Sequence, residues 1–182
     1  MIFTETSLKG AFTIDLAPHS DERGFFARSF CRKEFEAHGL DPAVLQCNIS
    51  LNHKKGTLRG MHFQTAPFEE VKIVRCTRGE IVDTIIDLRR ESSTYLQWIS
   101  VHLTENNHTM LYVPRHFAHG FQALADNTEL MYQVSQEYSP AHATGVRFDD
   151  PAFGIKWPLP VSVISKADSS WPLYTPQAAV WV

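Results

Sequence analysis

The strongest constraint on the fold of this chain is a period of two in its apolar residues. Over residues 71–77, the side chains of Lys72, Val74 and Cys76 would share one face of a β-strand. A lysine on a strand usually faces solvent, but this one alternates with two apolar side chains. We therefore predict that Lys72 points inward, toward the interior of a β-structure.

The same alternation recurs along the chain at a spacing of about ten residues. Turn residues separate the segments, notably Arg78-Gly79 and residues 125–127. We predict hairpins across both of these turns. Beyond 71–77, strands are predicted at residues 80–88, 95–103, 110–113, 119–124 and 128–135.

Residues 29–38 form the one segment that predicts a helix. Ser29 can cap its N-terminus, Phe30 and Phe35 give it an apolar stripe, and Gly39 can end it. Many short strands with so little helix indicate an all-β sandwich or barrel.

The length of 182 residues suits one domain over residues 1–182. The last segment, 171–182, is rich in tryptophan, tyrosine and valine. We expect this apolar tail to pack on the body of the domain or on a second subunit.

The charge and apolar patterns exclude several classes of protein. The formal net charge of −3 leaves no basic excess for a nucleic-acid backbone. No apolar run reaches the roughly 18 residues of a membrane span. The first residues, MIFTET, do not form a secretory signal, so we expect a cytoplasmic protein without nucleic-acid or membrane partners. Three cysteines, at widely spaced positions, predict neither a disulfide framework nor a metal motif.

A dense polar cluster lies at residues 54–64, KKGTLRGMHFQ. In a regular strand Arg59 and His62 would point to opposite faces, because they are an odd number of residues apart. Gly60 lies between them and would permit a β-bulge. A bulge here would bring both side chains into one cavity.

Several motifs of the chain occur together in one known family. Over about residues 1–175, the chain resembles the dTDP-4-dehydrorhamnose 3,5-epimerases, a family of nucleotide-sugar epimerases. No single motif is specific, but their order and spacing match together. The matching segments are DERGFF at 21–26, QCNIS at 46–50, GTLRGMHFQ at 56–64, FAHGF at 117–121, ELMY at 129–132 and IKWP at 155–158, with Lys72 and Tyr138 between them.

The resemblance implies a double-stranded β-helix (the cupin jelly roll) with a few short helices, usually as a homodimer. This all-β fold agrees with the period of two. The implied substrate is a nucleotide-linked 4-keto-6-deoxyhexose used in deoxysugar and polysaccharide biosynthesis. Its carbons 3 and 5 flank a ketone, so their protons exchange without any cofactor, and the family implies no metal.

The resemblance also implies the catalytic residues. His62 is the base, Asp168 orients its ring, Tyr132 donates a proton to the opposite face, and Lys72 stabilises the enolate oxygen. Histidine suits the base role because its ordinary pKa is about 6.5. Arginine suits the diphosphate, and tyrosine can stack on the nucleobase. The substrate-binding residues implied by the family are Arg23, Gln46, Asn48, Arg59, His119 and Tyr138.

Four positions depart from the pattern of the rhamnose-pathway enzymes. Arg28 replaces a glutamate, His116 a glycine, Ala143 a substrate-contacting glutamate, and Ala167 a lysine. These departures indicate a divergent branch of the family. They leave open the nucleobase, the sugar, and whether carbon 3 alone or both carbons are inverted.

Other functions stay open beside the 3,5-epimerase. A 3-epimerase or a ketoisomerase would use the same scaffold. A metal-dependent cupin such as a dioxygenase needs clustered histidine and carboxylate ligands, often as His-x-His, and neither His62 nor His119 lies in such a motif. A non-catalytic nucleotide-sugar binding module would have no need of His62, Tyr132 and Lys72 together.

Overall fold

The computed structural model describes residues 1–175, which fold almost entirely into β-structure. Their two helices are α1 (Arg32–Ala37) and α2 (Lys166–Ser170). The strands are β1 (Ile2–Glu5), β2 (Phe12–Asp15), β3 (His19–Asp21), β4 (Gly24–Phe26), β5 (Gln46–Asn52), β6 (Leu58–Gln64), β7 (Lys72–Arg78), β8 (Glu80–Asp87), β9 (Trp98–Thr104), β10 (Met110–Val113), β11 (Phe117–Ala123), β12 (Thr128–Val134) and β13 (Ala143–Gly145).

Two antiparallel sheets contain all of these strands except β3 and β4. One sheet has six strands in the order β1-β2-β10-β7-β12-β5, and the other has five in the order β13-β6-β11-β8-β9. Strands β3 and β4 pair only with each other, and we call this hairpin the arm. The all-β fold of the cupin type is confirmed.

Both predicted hairpins are wrong. Strand β7 pairs with β10 and β12, whereas β8 pairs with β9 and β11, so the turn at Arg78-Gly79 carries the chain from one sheet to the other. The turn at residues 125–127 does the same between β11 and β12. The reason is that the apolar faces of these strands pack against each other: Val74 and Ile85 belong to one buried cluster between the sheets. A period of two identifies a buried face but does not identify the hydrogen-bonded neighbour.

This cluster forms the core of the sandwich and also the floor of the cavity described below. It joins side chains from β7, β10 and β12 of one sheet to those of β8, β9 and β11 of the other. Burying each such side chain contributes about 1.5–3 kcal/mol to folding. The largest fully buried members are Leu8, Ile81, Ile85, Leu103, Leu111 and Leu130.

Helix α1 is shorter than predicted, and its cap is not Ser29. The helix begins after Cys31, whose side chain makes no capping bond. The ring of Phe30 packs instead on that of Phe35, with centroids 5.1 Å apart, and this contact across the first turn fixes where the helix starts. The predicted end is confirmed. The main-chain N–H groups of Gly39 and Leu40 donate to carbonyl oxygens of the last helical turn, which is a Schellman motif.

The chain after β13 returns across the five-stranded sheet to α2 and the start of the apolar tail. Tyr174 is buried and packs on Phe153. Residues 176–182 of the predicted tail lie outside the described residues. Within residues 1–175 neither helix has the length and apolar character needed to span a membrane.

Candidate active site

A cavity lies between the inner faces of the two sheets, with a narrow inner part and a wide outer part. The inner part measures about 150 Å³ and the outer part about 660 Å³. Three side chains, His62, Lys72 and Tyr132, line both parts, so the two form one continuous cleft. The inner part is also lined by Ser50, Arg59, Val74, His119, Phe121 and Leu130.

His62 projects into this cleft from β6 and is held by Asp168. Its Nε2 lies 2.7 Å from Oδ1 of Asp168, and the other carboxylate oxygen accepts the main-chain N–H of Gly60 at 3.3 Å. The side chain of His62 is 40% exposed, whereas Asp168 is buried. With Nε2 donating to the carboxylate, Nδ1 is the nitrogen left to accept a proton.

The short helix α2 places Asp168 under His62. Ser165 caps the helix by accepting the main-chain N–H of Asp168 at 2.9 Å, which fixes the start of the helix and the direction of the carboxylate. Burial alone would raise the pKa of Asp168. The hydrogen bond and charge of His62, with the N–H of Gly60, outweigh burial and hold that pKa below its ordinary value. The carboxylate of Asp168 is therefore ionised at neutral pH.

The predicted bulge between Arg59 and His62 is confirmed. The pairing of β6 with β11 shifts register here, and both side chains line the inner cavity. Gly60 has a φ of +134°, and a Cβ at this position would lie 2.5 Å from the Cα of Gly120. Only glycine fits this close crossing of two backbones. Arg59 is then anchored by its Nε, which donates to Oδ1 of Asn52 at 2.9 Å.

Lys72 points inward as its alternation with Val74 and Cys76 predicts, and it is only 9% exposed. Its Nζ lies 3.0 Å from Oε1 of Glu70, which also lines the outer cavity. The cavity therefore contains a cation whose charge is balanced by a neighbouring carboxylate.

Tyr132 lies on β12 of the six-stranded sheet and reaches the cleft from the side opposite His62. Burial raises the pKa of its phenol, Glu70 adds to that rise, and Arg59 acts in the other direction. Within residues 1–175 the hydroxyl makes no hydrogen bond. A protonated phenol without a fixed partner is suited to giving its proton to a bound molecule.

His119 forms a second imidazole–carboxylate pair deeper in the inner cavity. Its Nε2 lies 2.6 Å from Oδ1 of Asp83, which is fully buried. Neither oxygen of Asp83 has an aligned hydrogen-bond donor in the described part of the chain, so the two side chains lie close together without an aligned hydrogen bond. Among residues 1–175 no three His, Cys, Asp or Glu side chains are grouped closely enough to hold a metal ion.

The sequence match to known proteins extends over the same residues that build this cleft. The family model for dTDP-4-dehydrorhamnose 3,5-epimerase matches residues 5–175. The chain belongs to this family. A family member from Sinorhizobium fredii, named dTDP-4-dehydrorhamnose 3,5-epimerase, is 42% identical over 173 residues, which cover 94% of this chain and 89% of that protein.

Solved structures of this epimerase family have the same fold. A dTDP-4-dehydrorhamnose 3,5-epimerase from Bacillus anthracis, with TDP and pyrophosphate bound, superposes with a TM-score of 0.91 at 37% identity and covers 95% of this chain and 99% of its own. A 3′-monoepimerase from Streptomyces bikiniensis, in complex with dTDP-quinovose, superposes with a TM-score of 0.84 at 32% identity, covering 92% of this chain and 85% of its own.

Among the substrate-binding residues implied by the family, the structure brings all but one to the cleft. Gln46, Asn48 and Tyr138 line the outer part, while Arg59 and His119 line the inner part. Gln46 also accepts the main-chain N–H of Tyr138 at 3.2 Å, so these two residues form one rim.

Arg23 is the exception. It lies in the turn of the arm, its side chain is 84% exposed, and it pairs with Asp21 of the same turn. It does not line the cavity of its own chain. Arg23 is therefore outside the cleft that the other predicted site residues form within this one copy.

Two of the four departures from the family pattern lie on the cavity wall. Ala143 and Ala167 line the outer part, where the family's usual glutamate and lysine would bring charge. Arg28 instead contacts Glu34 at 3.5 Å on the surface, and His116 lies 3.9 Å from a carboxylate oxygen of Glu69. The outer cavity is thus less charged than the family pattern predicts.

Glu70, Asp83 and Trp171 are not among the site residues predicted from the sequence. A signal existed for Asp83, because it alternates with Ile81 and Ile85 on one strand face, as Lys72 does with its neighbours. Glu70 precedes its strand and has no periodic signal. Trp171 follows α2 and places its ring edge-on to that of His62, with centroids 6.3 Å apart, a contact that only folding creates.

Proposed function

We propose that this epimerase inverts carbon 3 and carbon 5 of a dTDP-linked 4-keto-6-deoxyhexose during deoxysugar biosynthesis, through His62 and Tyr132. The observation that carries this proposal is that an imidazole and a phenol reach one cleft from opposite sheets. Inversion needs this arrangement, because the proton must leave one face of the sugar ring and return to the other.

His62 starts the reaction by taking a proton from carbon 3 on its Nδ1. The electron pair of the broken C–H bond forms the double bond of an enolate, and negative charge moves to the oxygen at carbon 4. Asp168 holds the imidazole in place and balances the imidazolium charge. Lys72 lies on the cavity wall as the cation for the enolate oxygen, and such a preorganised charge contributes several kcal/mol to catalysis.

Tyr132 completes the inversion by donating its phenolic proton to carbon 3 from the opposite face. The phenolate then takes a proton from solvent, and His62 gives its proton back to solvent. The same two groups act on carbon 5 when that carbon lies between them. Proton transfer by each positioned group contributes about 10²–10⁴-fold to the rate.

The nucleotide occupies the outer cavity. Gln46, Asn48 and Tyr138 line this cavity. In this proposal the two amides hydrogen-bond the nucleotide and Tyr138 stacks on the base. The B. anthracis relative with bound TDP supports a thymidine nucleotide. Lys72, already paired with Glu70, is the one lysine or arginine lining this outer part within the described residues.

We propose that the protein is a homodimer in which the second copy supplies a cation for the diphosphate. The arm carries Arg23 away from its own cavity, and its Phe26 is 73% exposed. On the edge strand β5, Ile49 is 71% exposed. Exposed apolar groups on an arm and on a free edge favour burial against another copy, which would bring Arg23 to the partner's diphosphate.

A 3-epimerase is the second candidate function. The likeness to the S. bikiniensis 3′-monoepimerase favours it. The two activities differ only in whether carbon 5 also loses its proton to His62. We also propose, for either activity, that the protein is cytoplasmic.

A nucleotide panel in heavy water tests the proposal. The chain is incubated with dTDP-, CDP-, UDP- and GDP-linked 4-keto-6-deoxyglucose, and deuterium is followed by proton NMR. We expect deuterium at carbons 3 and 5 of the dTDP sugar. Deuterium at carbon 3 alone would support the 3-epimerase, and no exchange with any nucleotide would contradict both.

A further inference from the structure

Glu70 is a carboxylate inside the cleft, and the proposed reaction steps give it no role. Its Oε1 lies 3.0 Å from Nζ of Lys72, and both side chains are 11% exposed. Its Oε2 accepts a hydrogen bond from Nε2 of Gln64 at 3.3 Å. A carboxylate in this position repels a diphosphate and an enolate, so its presence needs another explanation.

Gln64 fixes Glu70 to the strand that carries the base. Gln64 is buried on β6, two residues after His62, and its Nε2 also lies within hydrogen-bonding distance of the main-chain oxygens of Phe68, at 3.0 Å, and Glu137, at 3.1 Å. Its two N–H groups are therefore shared among three acceptors. Its Oε1 accepts the main-chain N–H of Ser139 at 2.7 Å. The amide that holds Glu70 is thus itself held by the loops on either side of the outer cavity.

Lys72 needs such a partner because its long side chain is nearly buried. An isolated ammonium in a low-dielectric site is costly, and a four-carbon stem has many rotamers. A carboxylate with a fixed position offsets the cost of the buried charge and holds the ammonium in one orientation. The Glu70–Lys72 pair therefore sets where positive charge stands relative to His62.

We infer that Glu70 is a positioning residue, which holds the Lys72 ammonium at the point where the enolate oxygen forms. This inference rests on the proposed function and deepens it. Glu70 does not touch the reacting carbons in this role. It acts through Lys72 by an ion pair, and its negative charge also adds to the raised pKa of the nearby Tyr132 phenol.

Several charged groups share the cleft with the Tyr132 phenol, and Glu70 acts together with them. Of these groups, Glu70 raises the pKa of the phenol and Arg59 lowers it. The titratable and charged side chains that line the cleft are Arg59, His62, Glu70, Lys72, His119, Tyr138 and Asp168.

The substitution Glu70→Gln separates positioning from binding. It keeps the size of the side chain and removes its charge, so Lys72 loses its counter-charge while the cavity repels a diphosphate less. We expect kcat to fall by about 10- to 100-fold, the scale for a misplaced catalytic group, with KM unchanged or lower. Glu70→Asp keeps the charge but is shorter, and we expect it to recover part of the lost kcat.

Glu69→Gln is the matched control, because Glu69 is the preceding residue and its one ion pair within residues 1–175 is with His116, at 3.9 Å. We expect its kcat to stay within about twofold of the wild type. All variants are compared at a temperature at which circular dichroism shows each of them folded. Wild-type kcat in Glu70→Gln, a loss that appears as a higher KM, or an equal loss in Glu69→Gln would overturn the inference.

A second readout does not depend on turnover. The near-ultraviolet absorbance of tyrosinate is followed with pH, and the transition absent from Tyr132→Phe is assigned to Tyr132. We expect this transition at lower pH in Glu70→Gln than in the wild type. An unchanged transition would show that Glu70 carries no negative charge in the cleft, as the ion pair with Lys72 requires, and would overturn the inference even if no nucleotide sugar proved to be a substrate. Inactivity of the wild type alone would count only against the proposed function.

Discussion

His62 and Tyr132 line one cavity from opposite sheets of the fold. His62 is carried by β6 of the five-stranded sheet and Tyr132 by β12 of the six-stranded sheet. A sugar ring lying between them would present one face to an imidazole and the other to a phenol. The sandwich itself thus separates the base from the acid, which is what inversion at a carbon requires.

Asp168 links this mechanism to the stability of the fold. Its pKa is lower in the folded chain than its ordinary value near 3.9, so it stabilises the folded state above about pH 4, and this contribution disappears as pH falls through the folded pKa. We expect Asp168→Asn to lower the free energy of unfolding by about 1–3 kcal/mol at pH 7. The difference in Tm between the two proteins should shrink below about pH 4. A difference that is constant with pH would contradict this.

Tyr132 should stay protonated beyond the ordinary range of tyrosine. Because its pKa is raised above about 10, the phenol loses its proton only in strongly alkaline solution. In the difference titration against Tyr132→Phe, we expect a tyrosinate midpoint above 10, and no loss of epimerase activity from this group below about pH 9. A midpoint below 10 would argue against the environment described for this residue.

The bulge at Gly60 should be intolerant of any side chain. Gly60→Ala combines a φ of +134° with a Cβ 2.5 Å from the Cα of Gly120, so we expect a loss of about 2–4 kcal/mol and of activity. Gly154→Ala is the control, because Gly154 also has a positive φ, +62°, but has open space around its Cβ. It should cost only about 1 kcal/mol. Equal shifts in Tm for the two variants would show that the close crossing of strands is unimportant.

Arg23 and His62 should complement each other across a dimer. We expect Arg23→Ala to lower kcat/KM by about tenfold or more, since it removes a charged contact to phosphate. Differently tagged Arg23→Ala and His62→Ala chains are then co-expressed, and mixed dimers are purified. Each mixed dimer has one intact site and should show about half of the wild-type activity. Activity no higher than that of Arg23→Ala alone, or a purely monomeric protein, would exclude the shared site.

Much of the fold could be predicted from the sequence, because apolar alternation reports directly which strand faces are buried. It predicted an inward Lys72 and, with Gly60, the bulge that unites Arg59 and His62. The hairpins were mispredicted because local pattern cannot distinguish a strand that pairs with its neighbour from one that crosses to the other sheet. In a jelly roll the second case is the rule.

The site was predictable only where a motif or a face periodicity marked it. The contact between His62 and Asp168 joins residues 106 positions apart, and the resemblance suggested it where spacing could not. Glu70 carries no such mark, because its role depends on a hydrogen bond to Gln64 and on the burial of Lys72. The position of Arg23 depends on where the arm lies, which no local pattern determines.

The most direct test of the mechanism compares three proteins on dTDP-4-keto-6-deoxyglucose in heavy water, with proton NMR reporting both deuterium and configuration at carbon 3. The wild type should exchange and invert. His62→Ala should lose exchange by at least about 10³-fold while still folded at the assay temperature, and Tyr132→Phe should keep some exchange without inversion. Exchange at the wild-type rate in His62→Ala, or exchange and inversion lost in equal measure in Tyr132→Phe, would contradict a base and an acid acting from opposite sheets.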